Sequence, residues 1–300
     1  MKFGAGYRPW RSVGPDRHLV SSTRPVQLRR RTPTPLAMSA TDLSLVGESA
    51  VVTGAGRGIG RRIAEALLDA GVDVAINDID ADALAEAADA LDGTDGDLLT
   101  HEADASDPDA AASFVEAAAD AFGGLDIVVN NVGIAGPTKP CEEITHEEFM
   151  STLSVNLGSL FNTTSAAIPH LKRGGGRVVN VSSMSGKRPL EDRTPYTTSK
   201  MGVIGFTRTL AVELADHDVN VNAVCPGSVA GPRLDAVIEA QAASQDRPVA
   251  EVEAEFRSAS PMDEFVTAGD VADAVLVLCS ERTRRVTGQD LNVTAGIVMY

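Results

Sequence analysis

Tyr196 and Lys200 lie four residues apart in the stretch YTTSK, so a helix would present both side chains on one face. An ammonium group near a phenol favours the phenolate, which lowers the pKa of the tyrosine and makes it usable as an acid or base. Ser183 comes 13 residues earlier, at the end of a predicted strand, where its hydroxyl can face the same crevice. Tyr-x-x-x-Lys alone is a common surface pattern, so other motifs must support this interpretation.

The stretch VVTGAGRGIG has the form of a phosphate-binding turn. Gly54 follows an apolar run typical of a buried strand, and Gly58, Ile59 and Gly60 begin a helical pattern. Glycines let the backbone turn tightly and approach a pyrophosphate, whose charge the helix N-terminus favours. Glycines also occur in ordinary strand–helix turns, so the motif depends on its flanking elements. Arg57, in its middle, raises the question of a 2′-phosphate and hence of NADP.

Two aspartates follow the next two predicted strands. Asp78 ends the second, where an acid accepts hydrogen bonds from the ribose hydroxyls of an adenosine and repels a 2′-phosphate. The alternative is a helix N-cap, for which aspartate is common. Asp104, after the third strand, has the same two interpretations: a cap or a contact with adenine.

Taken together, these blocks resemble the short-chain dehydrogenase/reductase family in its compact form, over roughly residues 43–300. Thr53-Gly54-x-x-x-Gly58-Ile59-Gly60 is similar to its cofactor motif, and Asn130–Gly133 (NNVG) to its Asn-Asn-Ala-Gly. The family's catalytic tetrad corresponds to Asn156, Ser183, Tyr196 and Lys200, and its nicotinamide-contact turn to Pro226-Gly227. Two departures are Gly231, where the family often has threonine, and Thr294-Ala295-Gly296, where it usually has Asp-Gly-Gly near a subunit interface.

The resemblance implies roles for these residues. Lys200 would hold the nicotinamide ribose, and Tyr196 would take or return the alcohol proton. Ser183 would stabilise the carbonyl oxygen, and Asn156 would hold a water in a proton relay. The implied cofactor contacts are Gly54, Arg57, Gly58, Ile59, Gly60, Asp78, Asp104, Asn131, Tyr196, Lys200, Pro226, Gly227 and Val229. Because Asp78 would repel a 2′-phosphate and Arg57 can turn to solvent or pair with Asp78, NAD is favoured over NADP.

Four cations occupy the segments that form the substrate pocket in this family. They are Lys187, Arg188, Arg193 and Arg233, in a region of the chain that is otherwise strongly acidic. One hypothesis is an anionic substrate, a hydroxy acid or sugar acid, held by charge-assisted hydrogen bonds. The alternative is that these cations pair with surface acids or contact a neighbouring subunit.

The elements that must position these residues alternate regularly. Seven predicted strands are separated by helices, among them a long helix over residues 145–171 and helical residues over 232–257. Such alternation predicts a single α/β domain over residues 38–300, a doubly wound, Rossmann-type parallel sheet with helices on both faces. Ligands are expected at the carboxyl ends of the strands, under a mobile lid at about residues 228–262.

Charge divides the chain in two. Residues 1–37 carry eight basic residues and one acid, for a net charge of +7, whereas residues 38–300 carry 18 basic and 41 acidic residues, for −23. This basic extension is expected to be disordered, and three interpretations of it stay open: an upstream stretch before a true start at Met38, a transit-like peptide, or an arm for nucleic acid. The acidic remainder, poor in lysine, is typical of proteins from salt-loving organisms.

Composition also excludes several classes. An acidic surface repels nucleic acid and anionic membranes, and no run of about 18 apolar residues exists to span a bilayer. The three cysteines form no CxxC pair, so neither a metal site nor a disulfide framework is predicted, and a cytoplasmic location is favoured. We expect a homo-oligomer, a dimer or tetramer, that uses NAD to interconvert an alcohol and a ketone. The alternatives are an NADP-dependent 3-oxoacyl-thioester reductase and a non-catalytic dinucleotide sensor.

Overall fold

Seven strands form one parallel sheet in the computed structural model, which describes residues 43–45 and 48–300. The interpretations of residues 1–37 and of a start at Met38 fall outside these ranges. The strand order is β3-β2-β1-β4-β5-β6-β7. The bounds are β1 Ser49–Thr53, β2 Asp73–Asp78, β3 Leu98–Glu102, β4 Ile127–Asn130, β5 Gly176–Val181, β6 Val219–Pro226 and β7 Asp290–Val293.

The chain moves outward from β1 to β3, and then returns to place β4 on the other side of β1. Every strand pair is parallel, so each connection crosses over through a helix. This is the doubly wound, Rossmann-type architecture, and the predicted fold class is confirmed.

Nine α-helices lie within the described ranges, and several begin at the residue types that favour a helix start. The side chains of Asp80, Asp107, Thr145 and Thr267 each accept a backbone N–H of the first turn. The bounds are α1 Gly58–Asp69, α2 Ala81–Ala90, α3 Pro108–Phe122, α4 His146–Leu153, α5 Ser159–Gly174, α6 Thr194–Glu213, α7 Pro232–Ser244, α8 Val249–Ser258 and α9 Ala268–Cys279.

The core consists of two apolar layers, one on each face of the sheet. Val51 and Val52 are neighbours in β1 but belong to different layers, because successive strand side chains point to opposite faces. The layer around Val52 packs against α1 and α9, and the layer around Val51 packs against α3 and α5. The helices that follow β1 and β4 therefore lie on opposite faces, which opens a crevice between the ends of these two strands.

The helix predicted over residues 145–171 is present, but it is not regular. One turn of π-helix, Ser154–Gly158, separates α4 from α5. Single π-turns are frequent at functional sites, because the extra residue redirects one side chain. Here that turn carries Asn156, which is fully buried.

The helical prediction for residues 232–257 corresponds to two helices, α7 and α8. They have a small apolar cluster of their own, formed by Leu234, Ile238, Ala242 and Val252, apart from the two layers of the main core. An isolated parallel bridge between Val229 and Val266 joins the two ends of this segment. The segment is thus a self-packed unit with closely spaced ends, and its role as a lid stays a prediction.

Two features are absent from residues 43–45 and 48–300. No helix there is long and apolar enough to cross a membrane. No group of three or more His, Cys, Asp or Glu residues there could hold a metal ion.

Candidate active site

The glycine turn after β1 is shaped by backbone geometry that side chains would block. Gly54 and Gly58 have φ values of +61° and +59°, in the left-handed region that favours glycine. A Cβ on Gly60 would lie 2.4 Å from the Gly54 carbonyl oxygen and 2.5 Å from the Asn131 Nδ2. The turn and the start of α1 therefore pack backbone against backbone, with no room for a side chain at Gly60, and Ile59 is half-buried.

Asp78 holds the same turn from the neighbouring strand. Its carboxylate accepts the Gly56 N–H at 3.0 Å and the Asp80 N–H at 3.1 Å. The cap of α2 is Asp80, so the capping alternative for Asp78 is wrong. Asp78 is half-buried at the carboxyl end of β2, beside the glycine turn, which is where an adenosine ribose is expected.

Arg57 pairs with a different acid from the one that the sequence suggested. Its guanidinium contacts the carboxylate of Asp80, not that of Asp78. The arginine side chain is 67% exposed, so it lies at the rim of the turn. The reason for the difference is local: Asp78 is turned toward the backbone of the glycine turn, while Asp80 lies at the start of α2 and faces outward.

Asn131 and Thr53 join the ends of β1 and β4. The Asn131 side chain donates to the carbonyl oxygens of Thr53 and Gly54 at 3.0 and 2.9 Å, and the Thr53 hydroxyl accepts the Asn131 N–H at 3.0 Å. Asn131 thus fixes the floor of the crevice. Asp104 is exposed, and its carboxylate accepts the Ser106 N–H and hydroxyl. The cap of α3 is Asp107, so the capping alternative for Asp104 is wrong.

Pro226 ends β6, and Gly227 and Val229 follow it at the far side of the crevice. The Gly227 N–H bonds to Val293 of β7 at 2.8 Å, and Val229 forms the bridge to Val266. Gly231 is the N-cap of α7 and has a φ of +138°, a value that a threonine would adopt only with strain. The family's usual residue at this place therefore does not suit this backbone.

These residues fit a dinucleotide. A glycine turn with two left-handed glycines meets the N-terminus of α1, and a carboxylate stands at the end of β2. Gly54, Gly58, Ile59 and Gly60 would hold the pyrophosphate, and Asp78 the ribose hydroxyls.

Tyr196, Lys200 and Ser183 meet where β5 ends and α6 begins. The Lys200 Nζ lies 6.0 Å from the centroid of the Tyr196 ring and donates to the Val181 carbonyl oxygen at 2.9 Å. Ser183 hydrogen-bonds to the tyrosine side chain, and its hydroxyl also accepts the Ser185 N–H at 3.1 Å. Lys200 and Ser183 are buried, while the tyrosine is partly exposed to the cleft.

The surroundings of Tyr196 tune its acidity. Burial by itself raises the pKa of the phenol, but the cations of Lys200 and Arg233, the hydrogen bond from Ser183 and the cation of Arg193 together outweigh it. The pKa of Tyr196 therefore lies below its ordinary value. Burial lowers the pKa of Lys200, and the neighbouring phenol partly opposes that change.

Asn156 connects α5 to the loop after β4. Its Oδ1 accepts the Ile134 N–H at 2.7 Å, and its Nδ2 donates to the Ile134 carbonyl oxygen and to the Ser199 hydroxyl. Ser199 precedes Lys200 on α6, so one amide side chain ties the loop to the tyrosine-bearing helix. The sequence did not single out Ser199, although its position within YTTSK was visible.

The structure places the four predicted substrate cations in three different environments. The guanidinium carbons of Arg193 and Arg233 lie 4.9 and 5.8 Å from the centroid of the Tyr196 ring. Arg188 is exposed beyond the turn that follows Ser183. Lys187 is directed elsewhere: its ammonium bonds to Asp290, Asn292 and Tyr300, so the structure does not bring it to the cleft.

Most of the chain matches known proteins. Residues 54–298 match a family model described as Enoyl-(Acyl carrier protein) reductase. The chain is 34% identical to a D-beta-hydroxybutyrate dehydrogenase of Rhizobium meliloti (strain 1021), over 83% of this chain and 98% of the relative. Among solved structures, it resembles a carveol dehydrogenase from Mycobacterium avium in complex with NAD, with a TM-score of 0.80 and 31% identity over 84% of this chain and 98% of that one.

It also resembles an actinorhodin polyketide ketoreductase variant with NADPH, with a TM-score of 0.81 and 32% identity over 84% of this chain and 98% of that one. The relatives thus include enzymes seen with either dinucleotide. The glycine turn, the strands β2 to β7 and the Ser183–Tyr196–Lys200 cluster all lie within the matched range. The chain belongs to the short-chain dehydrogenase/reductase family, in its compact form, and is an oxidoreductase that acts on a CH–OH group with NAD or NADP.

Proposed function

We propose that this enzyme uses NAD to interconvert a secondary alcohol and a ketone in a substrate that carries a carboxylate. The observation that supports the carboxylate is the pair of guanidinium groups, Arg193 and Arg233, on the Tyr196 ring. The Arg193 Nε is buried and has no hydrogen-bond partner among the described residues. A buried donor without a partner is costly, and an anionic ligand would satisfy it.

The residues of the cleft would act as follows. The dinucleotide supplies the hydride acceptor in oxidation and the hydride donor in reduction. Tyr196 takes the proton of the alcohol hydroxyl as the C–H bond breaks, or returns a proton to the carbonyl oxygen in the reverse direction. The Ser183 hydroxyl donates to the substrate oxygen, and Lys200 keeps the phenol acidic. Asn156 holds the loop and α6 together beside them and would position the relay water.

The preference for NAD rests on Asp78. Its carboxylate stands beside the glycine turn, where a 2′-phosphate would meet a negative charge. Arg57 could pair with such a phosphate, but it is already paired with Asp80. Asp104, Asn131, Pro226, Gly227 and Val229 would complete the cofactor site around these two strands.

The anion site is tested with a hydroxy acid and its neutral ester. D-3-hydroxybutyrate and its methyl ester share one alcohol centre and differ in charge. Arg193→Gln and Arg233→Gln should each lower kcat/KM for the acid by about tenfold or more, and change kcat/KM for the ester by less than about threefold. Arg173→Gln, at the exposed end of α5, is the matched control and should affect neither substrate.

Equal losses with acid and ester would show that the two arginines support the fold or the cofactor, and not an anionic substrate. Gluconate and other sugar acids in the same assay would distinguish short hydroxy acids from sugar acids. The Arg188→Gln variant tests whether the exposed cation near the cleft contributes as well.

A second candidate is an NADPH-dependent reductase of 3-oxoacyl thioesters. It is favoured by the similarity to the polyketide ketoreductase and by Arg57 at the rim of the cofactor turn. An acetoacetyl thioester with NADPH would be turned over faster than 3-hydroxybutyrate with NAD if this candidate holds. A sensor without catalysis is disfavoured because all four residues of the tetrad are present.

Three further features belong to the same proposal. The self-packed α7–α8 segment would be the lid over the cleft at about residues 228–262. Copies of the chain would associate through exposed apolar side chains of α5 and α6, such as Phe161 and Met201, which are 57% and 54% exposed. Light scattering after size exclusion would distinguish a dimer from a tetramer.

The free thiols of Cys141, Cys225 and Cys279 suit a reducing, cytoplasmic location.

A further inference from the structure

Lys187 lies four residues after Ser183, yet its side chain leaves the cleft and enters the sheet edge. Its ammonium donates to the Asp290 carbonyl oxygen, the Asn292 Oδ1 and the Tyr300 carbonyl oxygen, each at 2.9 Å. The Asp290 carboxylate lies 3.2 Å away, and the lysine side chain is only 9% exposed. All three donors of the ammonium are therefore used within the protein.

The turn between Ser183 and Lys187 is short and tightly seated. The Gly186 N–H donates to the Ser183 carbonyl oxygen at 3.0 Å. A Cβ on Gly186 would lie 2.7 Å from the Lys200 carbonyl oxygen, so the turn rests directly on the backbone of α6. The Ser182 hydroxyl donates to that same oxygen at 2.7 Å. Because the turn is short and rests on α6, a displacement of Lys187 at its end would also displace Ser183 at its start.

Asp290 connects this turn to α6 by a second route. One of its carboxylate oxygens faces Lys187, and the other accepts from the Arg208 guanidinium at 2.9 Å. Arg208 lies on α6, two helical turns beyond Lys200. The carboxylate is 17% exposed, whereas the arginine is 62% exposed, so the lysine side of this bridge is the buried and better-defined one.

We propose that Lys187 and Asp290 form a positioning pair, which holds the Ser183 turn in register with the tyrosine-bearing helix. This inference rests on the proposed function, in which the Ser183 hydroxyl and Tyr196 act on the same oxygen atom. Lys187 is then a positioning residue and not a substrate contact. The buried ion pair of Lys187 is stable because both of its partners and the neighbouring carbonyl groups are hydrogen-bonded at the same time.

The test compares Lys187→Met with Lys187→Arg and with Lys172→Met, an exposed lysine of α5 as the matched control. Lys187→Met keeps roughly the length of the side chain but removes its charge and all three hydrogen-bond donors. We expect kcat for 3-hydroxybutyrate to fall about 10- to 100-fold, with KM and NAD binding changed less than about threefold. Lys187→Arg should restore most of kcat, and Lys172→Met should behave as the wild type.

The pH profile gives a readout that a general loss of structure would not move. The groups that face the Tyr196 hydroxyl and ring are Ser183, Lys200, Arg193 and Arg233. If Lys187→Met displaces only Ser183, the tyrosine loses one hydrogen bond and keeps its three cations. The inflection of kcat against pH should therefore move to higher pH in Lys187→Met and return in Lys187→Arg.

Two results would overturn the proposal. One is an unchanged kcat and inflection in Lys187→Met; the other is a raised KM for the acid with an unchanged kcat, which would make Lys187 a substrate contact. If Lys187→Met does not fold, Asp290→Asn tests the same pair, because it removes the charge and keeps a side chain of equal size. Failure of the proposed function is separately visible, since Tyr196→Phe would then retain activity.

Discussion

Lys200 lies one helical turn after Tyr196, with its ammonium 6.0 Å from the centre of the tyrosine ring and anchored on the Val181 carbonyl oxygen. The anchor matters because a free lysine side chain would move away into solvent. Held there and buried, the cation opposes the effect of burial. Together with Arg233, Ser183 and Arg193 it keeps the pKa of Tyr196 below its ordinary value.

Lys200→Met should therefore move the pH dependence of oxidation to higher pH. The base form of Tyr196 is the phenolate, so a lowered pKa makes it available at lower pH, and removal of the cation raises that pKa. The measurement is kcat/KM for the alcohol against pH at saturating NAD. Reduction needs the protonated phenol, so its rate should fall with rising pH. In Lys200→Met this fall should also occur at higher pH. An inflection equal to that of Lys172→Met would contradict this role.

Asp78→Asn should weaken the discrimination against NADP. The amide keeps an oxygen that can accept the Gly56 N–H, but it removes the negative charge that opposes a 2′-phosphate. We expect the ratio of kcat/KM for NADP to that for NAD to rise roughly 10- to 100-fold, about 1.4–2.8 kcal/mol. Adding Asp80→Asn frees Arg57 from its ion pair, so the double variant should favour NADP further.

The control for the cofactor prediction is Asp82→Asn, an exposed acid in the first turn of α2. It removes the same charge nearby without touching the glycine turn. A comparable change in the ratio from this variant would mean that general surface charge, and not Asp78, sets the preference.

Asn156→Ala should cost both stability and rate. The amide makes three hydrogen bonds while fully buried, and its loss leaves the Ile134 backbone groups and the Ser199 hydroxyl without these partners. Each unsatisfied buried group costs about 1–3 kcal/mol, so the midpoint of urea unfolding should fall clearly. Ser151→Ala, at an exposed site of α4, should leave the midpoint within error. A wild-type midpoint for Asn156→Ala would show that the loop is held by other contacts.

Glu48→Gln should stabilise the protein at high pH. Burial, with Asp126 as the second cause, raises the pKa of Glu48 to about 7 from an ordinary value of 4.5. A raised carboxyl pKa means that the folded state binds the extra proton between these two values. Stability is thus lost as the pH rises from about 4.5 to 7 and stays reduced above it.

The gain from Glu48→Gln at pH 8 should be about 1–2 kcal/mol, since the side chain is only partly buried and solvent screens it. At pH 5 the substitution should be nearly neutral. Urea unfolding at the two pH values measures the difference. Glu86→Gln, on the exposed face of α2, should show no such dependence. Equal effects of Glu48→Gln at pH 5 and pH 8 would disprove the raised pKa.

The sequence by itself determined those features of the fold and the site that depend on local residue spacing. The alternation of strands and helices predicted the sheet, and the glycine spacing predicted a turn in which Gly60 allows two backbones to touch. The four-residue spacing of Tyr196 and Lys200 placed them on one face of α6, as any helix would. These features could be predicted because helix and strand periods are set by the chain itself.

The tertiary structure decided which charges meet. Arg57 pairs with Asp80 and not with Asp78, and Lys187 joins Asp290, more than 100 residues away, and not the cleft. Arg193 and Arg233 converge on one tyrosine ring from different segments of the chain. The sequence gives the positions of the cations but not the direction in which each side chain extends. The partner of a long side chain depends on which strands and loops the fold brings within its reach.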